Sequence, residues 1–143
     1  MMRLSVILHR YIWMPWALLT LAALVYATMF FLRPPPPLRF LGAAAHPSVV
    51  HVGENVTVTY HAIRKRSCAS TVVRGWVDPI GSIVMRFPQT YGGVGRLGEQ
   101  KNKVIVPAPD APGFYCLRMV THHQCGAAEY DIAAPEACLE VTP

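Results

Sequence analysis

The sequence predicts an all-β domain of antiparallel strands packed as a β-sandwich, carried behind one N-terminal transmembrane helix. Three observations lead there. The stretch Ile12–Leu32 carries no charged side chain and is as long as the roughly 20 residues that cross a bilayer's ~30 Å hydrocarbon core. Beyond it, apolar residues recur at every second position in short runs separated by Gly, Pro and Asp. No run in that part has a helical period, and all four cysteines lie there.

Taken in order, residues 1–10 are expected to form a short cytoplasmic tail without structure, and residues 11–33 the helix. The helix reads IWMPWALLTLAALVYATMFFL, with Thr20 and Thr28 as small polar interruptions. Tyr11, Trp13 and Trp16 cluster at one end, where amphipathic rings favour the headgroup level. Arg10 and Arg33 bracket the run and can extend toward water. Pro15 fits the first helical turn, where its missing N–H costs little. A cleaved signal peptide would have an apolar region of about 7–15 residues and a nearby small-residue site. The run here is longer, and Ala43-Ala44-Ala45 lies beyond four prolines, so an uncleaved signal-anchor is the reading adopted.

Pro34-Pro35-Pro36-Pro37 ends the helix and favours polyproline II, a stiff spacer of about 12 Å at ~3.1 Å per residue. Residues 38–47 read as irregular, giving a Pro-rich linker over 34–47 and a domain over 48–143. Within the domain, strands are expected at Val49–Val52, Asn55–Ile63, Thr71–Val77, Ile83–Phe87, Val104–Val106, Gly113–Thr121 and Ala137–Thr142. In Asn55–Ile63, Val56, Val58, Tyr60 and Ala62 share one face, while Thr57, Thr59 and His61 share the other. Residues 88–100 read as a glycine-punctuated loop, and a second long loop is expected after Thr121.

Charge excludes one function class. The pI is 9.3, but all eight acidic residues lie beyond residue 43, facing nine of the thirteen basic ones. The other four, Arg3, Arg10, Arg33 and Arg39, flank the span. The domain is therefore near neutral, and no nucleic-acid footprint is present. Catalysis finds no nucleophile motif. Gly92-Gly93-Val94-Gly95 lacks the Lys and Ser/Thr of a phosphate loop. Asn55-Val56-Thr57 is a glycosylation sequon. The richest constellation runs from Cys116 through Met119, His122 and His123 to Cys125, ligand types that suit a soft metal such as copper. Adjacent histidines are more often polar surface, and Met119 sits on an apolar face, so no metal or other cofactor is assigned.

Positive charges on the two sides of the span nearly tie, so the cysteines decide orientation. An even count in a small domain suits an oxidising compartment, which puts the N-terminus in the cytoplasm and the domain in the periplasm or outside the cell. Cys68, Cys116, Cys125 and Cys138 permit three pairings.

Three features of the domain resemble immunoglobulin-like sandwiches. Asp110-Ala-Pro-Gly-Phe-Tyr115 resembles the E–F corner, where a Gly-x-Tyr turns its hydroxyl back onto the backbone. Trp76 resembles that fold's core tryptophan, and Gly53-Glu54-Asn-Val-Thr-Val58 its turn into strand B. The resemblance covers roughly residues 46–143 and concerns the fold alone. Leu117 stands where the antibody-type cysteine would, so the inter-sheet disulfide is absent. In the fold so implied, Cys116 and Cys138 share the outer face of neighbouring strands F and G, while Cys68 and Cys125 follow strands B and F toward one end. The resemblance thus implies the pairs Cys68–Cys125 and Cys116–Cys138. It also implies that the first strand starts at the end carrying the B–C and F–G loops. Arg64, Lys65 and Arg66, with His122, His123 and Tyr130 alongside, are then expected to contact headgroups or a membrane partner.

The function expected is a membrane-anchored, non-enzymatic interaction or accessory module, such as a small subunit of an envelope or virion assembly. Its partners would be the bilayer, through Ile12–Leu32, and another membrane or envelope protein. The alternative is a periplasmic copper-handling factor.

Overall fold

A computed structural model describes residues 3–32, 34–92 and 95–143. The chain divides into two compact units, residues 1–35 and 36–143. The first is a single helix, α1, Arg3–Phe31. Its stretch Met14–Phe31 is long and apolar enough to cross a membrane, and none of it is buried within the protein. Both threonine hydroxyls are satisfied inside the helix: Thr20 Oγ1 donates to the carbonyls of Trp16 and Ala17, and Thr28 Oγ1 to that of Val25. Such internal bonding removes most of the cost of placing a hydroxyl in an apolar medium. The helix begins earlier than expected. Residues 3–10 continue it rather than forming an unstructured tail, and Pro15 lies in its interior, where the ladder forgoes one hydrogen bond. The side chains of Arg10, Tyr11 and Trp13, and all of Arg33, lie outside the described residues.

Among the described residues, the second unit is a two-sheet sandwich of ten strands: β1 Leu38–His46, β2 Val49–His51, β3 Asn55–Arg64, β4 Ala69–Val77, β5 Ile83–Arg86, β6 Thr90–Gly92, β7 Gly98–Pro107, β8 Gly113–Cys125, β9 Ala128–Ala133 and β10 Ala137–Thr142. One sheet has the order β1-β3-β7. The other has the order β2-β10-β8-β4-β5, with β6 also on β4 and β9 also on β8. All pairings are antiparallel except β2 with β10. The chain leaves the first sheet after β1 at the cis His46–Pro47 peptide and joins the second as β2. These are the strand neighbours of an immunoglobulin-like sandwich, in which the first strand is shared between the sheets.

Three expectations are corrected. Residues 38–46 are not linker but a full strand paired along β3, from Leu38 opposite Arg64 to His46 opposite Thr57. Leu38 is buried, and the Phe40 ring meets that of Tyr60 edge-on at 6.0 Å. The run Gly42-Ala-Ala-Ala45 hides the strand because small residues give a weak period-two signal and have low strand preference. The loop expected over 88–100 contains β6 and the start of β7, with Gly93 and Val94 outside the described residues. The loop expected after Thr121 is instead the continuation of β8 and its hairpin with β9, turning at Gly126, whose φ is +67°.

Burial alternates along the strands and fills only one half of the interior with apolar side chains. Val56, Val58 and Tyr60 of β3, Trp76 of β4, Leu117 of β8 and Leu139 of β10 are almost fully buried together. At the E–F corner, Gly113 has φ +155°, and the Tyr115 hydroxyl lies 3.1 Å from where a Cβ would stand. Only glycine lets that ring fold back there. Toward the other end of the sandwich, the same inward positions turn polar.

Candidate functional site

The inward face of each long strand can be followed from the core outward. On β3 it runs Val56, Val58, Tyr60, Ala62, Arg64; on β4, Trp76, Arg74, Val72, Ser70; on β8, Leu117, Met119, Thr121, His123. Period two therefore carries Arg64, Arg74, Ser70, Thr121 and His123 into the space between the sheets. They line a cleft of about 230 Å³, closed further by Leu38, Phe40, Thr90, Gly92, Asn102 and Val104. Both sheets contribute, and no carboxylate lines it among the described residues.

Hydrogen bonding in the cleft is incomplete. Arg74 Nη2 donates to Thr90 Oγ1 at 2.7 Å, while Arg74 Nε is buried without a partner. The Tyr60 hydroxyl, on a residue 1% exposed, has no partner either. Burial pushes the Tyr60 phenol up to about 12, against the opposing pull of Arg74, so it remains an O–H donor. His123 is 4% exposed. Its Nε2 lies 3.1 Å from Thr121 Oγ1, and that hydroxyl donates to the Ile132 carbonyl. The Thr121 proton is thus committed, which assigns the imidazole proton to Nε2 and leaves Nδ1 a bare acceptor. Nδ1 is buried and unpartnered. Burial first, then the charges of Arg64 and His122, lower the His123 pKa, so the ring is neutral near pH 7.

The six residues expected to form one contact surface separate into three places. Arg64 and His123 belong to the cleft. Arg66 bends over the ring of Tyr130, with its guanidinium carbon 5.6 Å from the ring centroid and Nη2 donating to the hydroxyl at 3.3 Å. Lys65 is exposed. His122 points to the opposite side of β8 from His123, where Nδ1 is 2.5 Å from Asp131 Oδ1. Val49–Val52, the strand expected to start at the end carrying the B–C and F–G loops, instead lies at the end where β8 starts, and β1 takes its place. Leu38 opens β1 beside Arg64, and the Pro37 carbonyl accepts from the N–H groups of Lys65 and Arg66. The chain thus enters the sandwich at the end carrying the β3–β4 loop and the β8–β9 hairpin.

Both disulfides form as the resemblance implied, Cys68–Cys125 and Cys116–Cys138. Cys116 lies directly opposite Cys138 across β8 and β10. Cys68 and Cys125 extend the β4–β8 register by one step beyond the Ala69–Gln124 pair. With these bonds the constellation weighed for copper is not assembled. Cys116 and Cys125 are each in a disulfide, Met119 and His123 face inward, and His122 faces outward. Cys116, Cys138 and Glu136 also lie close together, but their sulfurs are bonded to each other.

Reading the sequence for chemistry missed Tyr60, Ser70, Arg74 and Asn102. The signal was present: Arg74 stands two residues before Trp76, hence on the core face of its strand. Likewise Arg64 continues Val56-Val58-Tyr60-Ala62, and His123 continues Tyr115-Leu117-Met119.

No protein-family model and no curated protein matches this chain. Solved structures resemble it in fold. The C-terminal domain of wzt aligns over 76% of this chain and 75% of its own, at TM-score 0.53 and 11% identity. The Pseudomonas fluorescens alkylpurine DNA glycosylase AlkC, bound to DNA containing an abasic site analog, aligns over 81% of this chain and 33% of its own, at TM-score 0.50 and 12% identity. The chain thus spans about a third of that glycosylase. Identities this low carry the likeness of fold alone.

Proposed function

We propose that this chain is a single-pass membrane protein whose extracytoplasmic, immunoglobulin-like sandwich is a non-enzymatic accessory module of an envelope or virion assembly. The observation that carries this reading is the charge-free stretch Met14–Phe31, whose side chains find no burial within the protein and whose two threonine hydroxyls bond to its own backbone. In lipid such a helix needs nothing further. The two disulfides support an oxidising compartment for the domain, hence an N-terminus in the cytoplasm, and the length of the apolar run supports an uncleaved signal-anchor.

The partner surface in this reading is the domain end at which the chain enters. It offers the exposed Lys65 and the stacked Arg66–Tyr130 pair, an Arg–aromatic combination of the kind enriched at protein interfaces. Two measurements on the full chain test the proposal. A reporter that needs translocation, fused after Pro143, is active, and a cytoplasm-dependent one is silent; the reverse result inverts the topology. Photo-crosslinking from position 65 in intact membranes yields a discrete adduct with another membrane protein. Monomer alone, both there and after extraction in mild detergent, overturns the accessory role.

A further inference from the structure

We propose that the cleft between the two sheets is a binding site for a small oxyanion that also carries a hydroxyl, such as a 2-hydroxycarboxylate or a hydrogen phosphate. The cleft holds Arg74 among its lining residues, and no carboxylate among the described residues lines it. Charges held between sheets are ordinarily paired, because an unpaired one is costly to desolvate. Arg74 Nε and the Tyr60 hydroxyl are buried donors with no acceptor, and His123 Nδ1 is a buried acceptor with no donor. Three unmet groups on three strands, β3, β4 and β8, line one cavity.

Their chemistry reads as a template. The donors Arg74 and Tyr60 call for an anionic oxygen, and the bare His123 nitrogen calls for an O–H. At about 230 Å³, the space lies below the ~300 Å³ where pockets for drug-sized ligands begin, which confines the ligand to a few heavy atoms. The apolar core on one side and Leu38, Phe40 and Met119 in the lining keep the local dielectric low, which strengthens an anion–guanidinium contact. Gly92 adds to the space: a Cβ there would stand 2.8 Å from Ser70 Oγ.

The test is a titration of the full chain, labelled with ¹⁵N in neutral detergent micelles, with lactate, propionate and inorganic phosphate at ionic strength fixed by chloride. Side-chain ¹⁵N signals of Arg74 and His123 report binding. Saturable shifts at both residues are expected, with lactate tighter than propionate because only lactate offers the hydroxyl. Phosphate tighter than lactate assigns the natural ligand to phosphates; the reverse order assigns it to hydroxy acids. Arg74→Gln and Tyr60→Phe should each weaken binding about ten- to a hundredfold, the range for losing a hydrogen bond to a charged group. Tyr60→Phe is the more telling variant, because removing an unmet buried hydroxyl should leave the ligand-free fold at least as stable. Shifts that never saturate with any of the three, or affinities unchanged in both variants, overturn the site. Equal affinity for lactate and propionate overturns the role of His123.

Discussion

Trp76 Nε1 donates a hydrogen bond of 2.8 Å to the carbonyl oxygen of Pro107. Trp76 lies on β4 and Pro107 ends β7, so this one bond joins the two sheets at the apolar half of the sandwich. The antibody-type inter-sheet disulfide is absent here, with Leu117 standing at one of its two positions. Trp76→Phe removes the bond and leaves a small void, at a cost of roughly 2 kcal/mol or more. For a domain of this size that corresponds to a melting temperature lower by about 10 °C. Near-UV circular dichroism of the full chain on heating measures it. An unchanged midpoint would show that the sheets do not depend on this bond.

The position of β1 makes a second prediction. A fragment beginning at residue 36 keeps Leu38 and Phe40 and should fold, whereas one beginning at residue 43 loses the part of β1 that packs on Tyr60. Losing the buried Leu38 and the half-buried Phe40 removes about 2–5 kcal/mol of burial, much of a small domain's stability. Amide proton dispersion distinguishes them: well spread for 36–143, collapsed for 43–143. Comparable spectra would return residues 38–42 to the linker.

This pair of fragments marks where the sequence was legible. Strands whose inner residues are Val, Tyr, Trp and Leu, such as Asn55–Ile63 and Gly113–Thr121, announce themselves by alternation, and so does the sandwich they form. The pattern fails in two physical situations. One is β1, where alanines replace larger residues. The other is the polar half of the interior, where Arg64, Arg74, Thr121 and His123 occupy inward positions and break the apolar count. The ends of β3 and β8 therefore read as loop from sequence alone, which conceals the cleft between them. The disulfide pairing was legible only through the resemblance to an immunoglobulin-like sandwich, which implied which strands are neighbours.

The disulfides differ in what they constrain. Cys68–Cys125 spans 57 residues and Cys116–Cys138 spans 22. In the chain-entropy model the longer loop is worth about 1 kcal/mol more, on a base of roughly 3 kcal/mol each. The double serine variant at 68 and 125 should therefore melt a few degrees below the one at 116 and 138. Thermal unfolding of both variants checks the order, and the opposite order would point to the β8–β10 pairing as the weaker element.

His123 makes the domain sensitive to acid. Its folded pKa is lowered, by burial first and then by the charges of Arg64 and His122. Arg74 and the Tyr60 hydroxyl line the same cleft, and Tyr130 stands opposite on β9. In the unfolded chain the ring takes up a proton as pH falls through about 6.5. Over that range the unfolded state binds more protons than the folded one, so stability rises with pH. The stability contributed by the neutral buried ring is present above about pH 6.5 and is lost progressively as pH drops from there toward the lowered folded value. A neutral replacement, His123→Gln, removes this dependence without adding a charge. The melting temperature of the native chain should fall between pH 7.5 and pH 5.0 by more than that of the Gln variant. Parallel curves for the two proteins would place His123 in water rather than between the sheets.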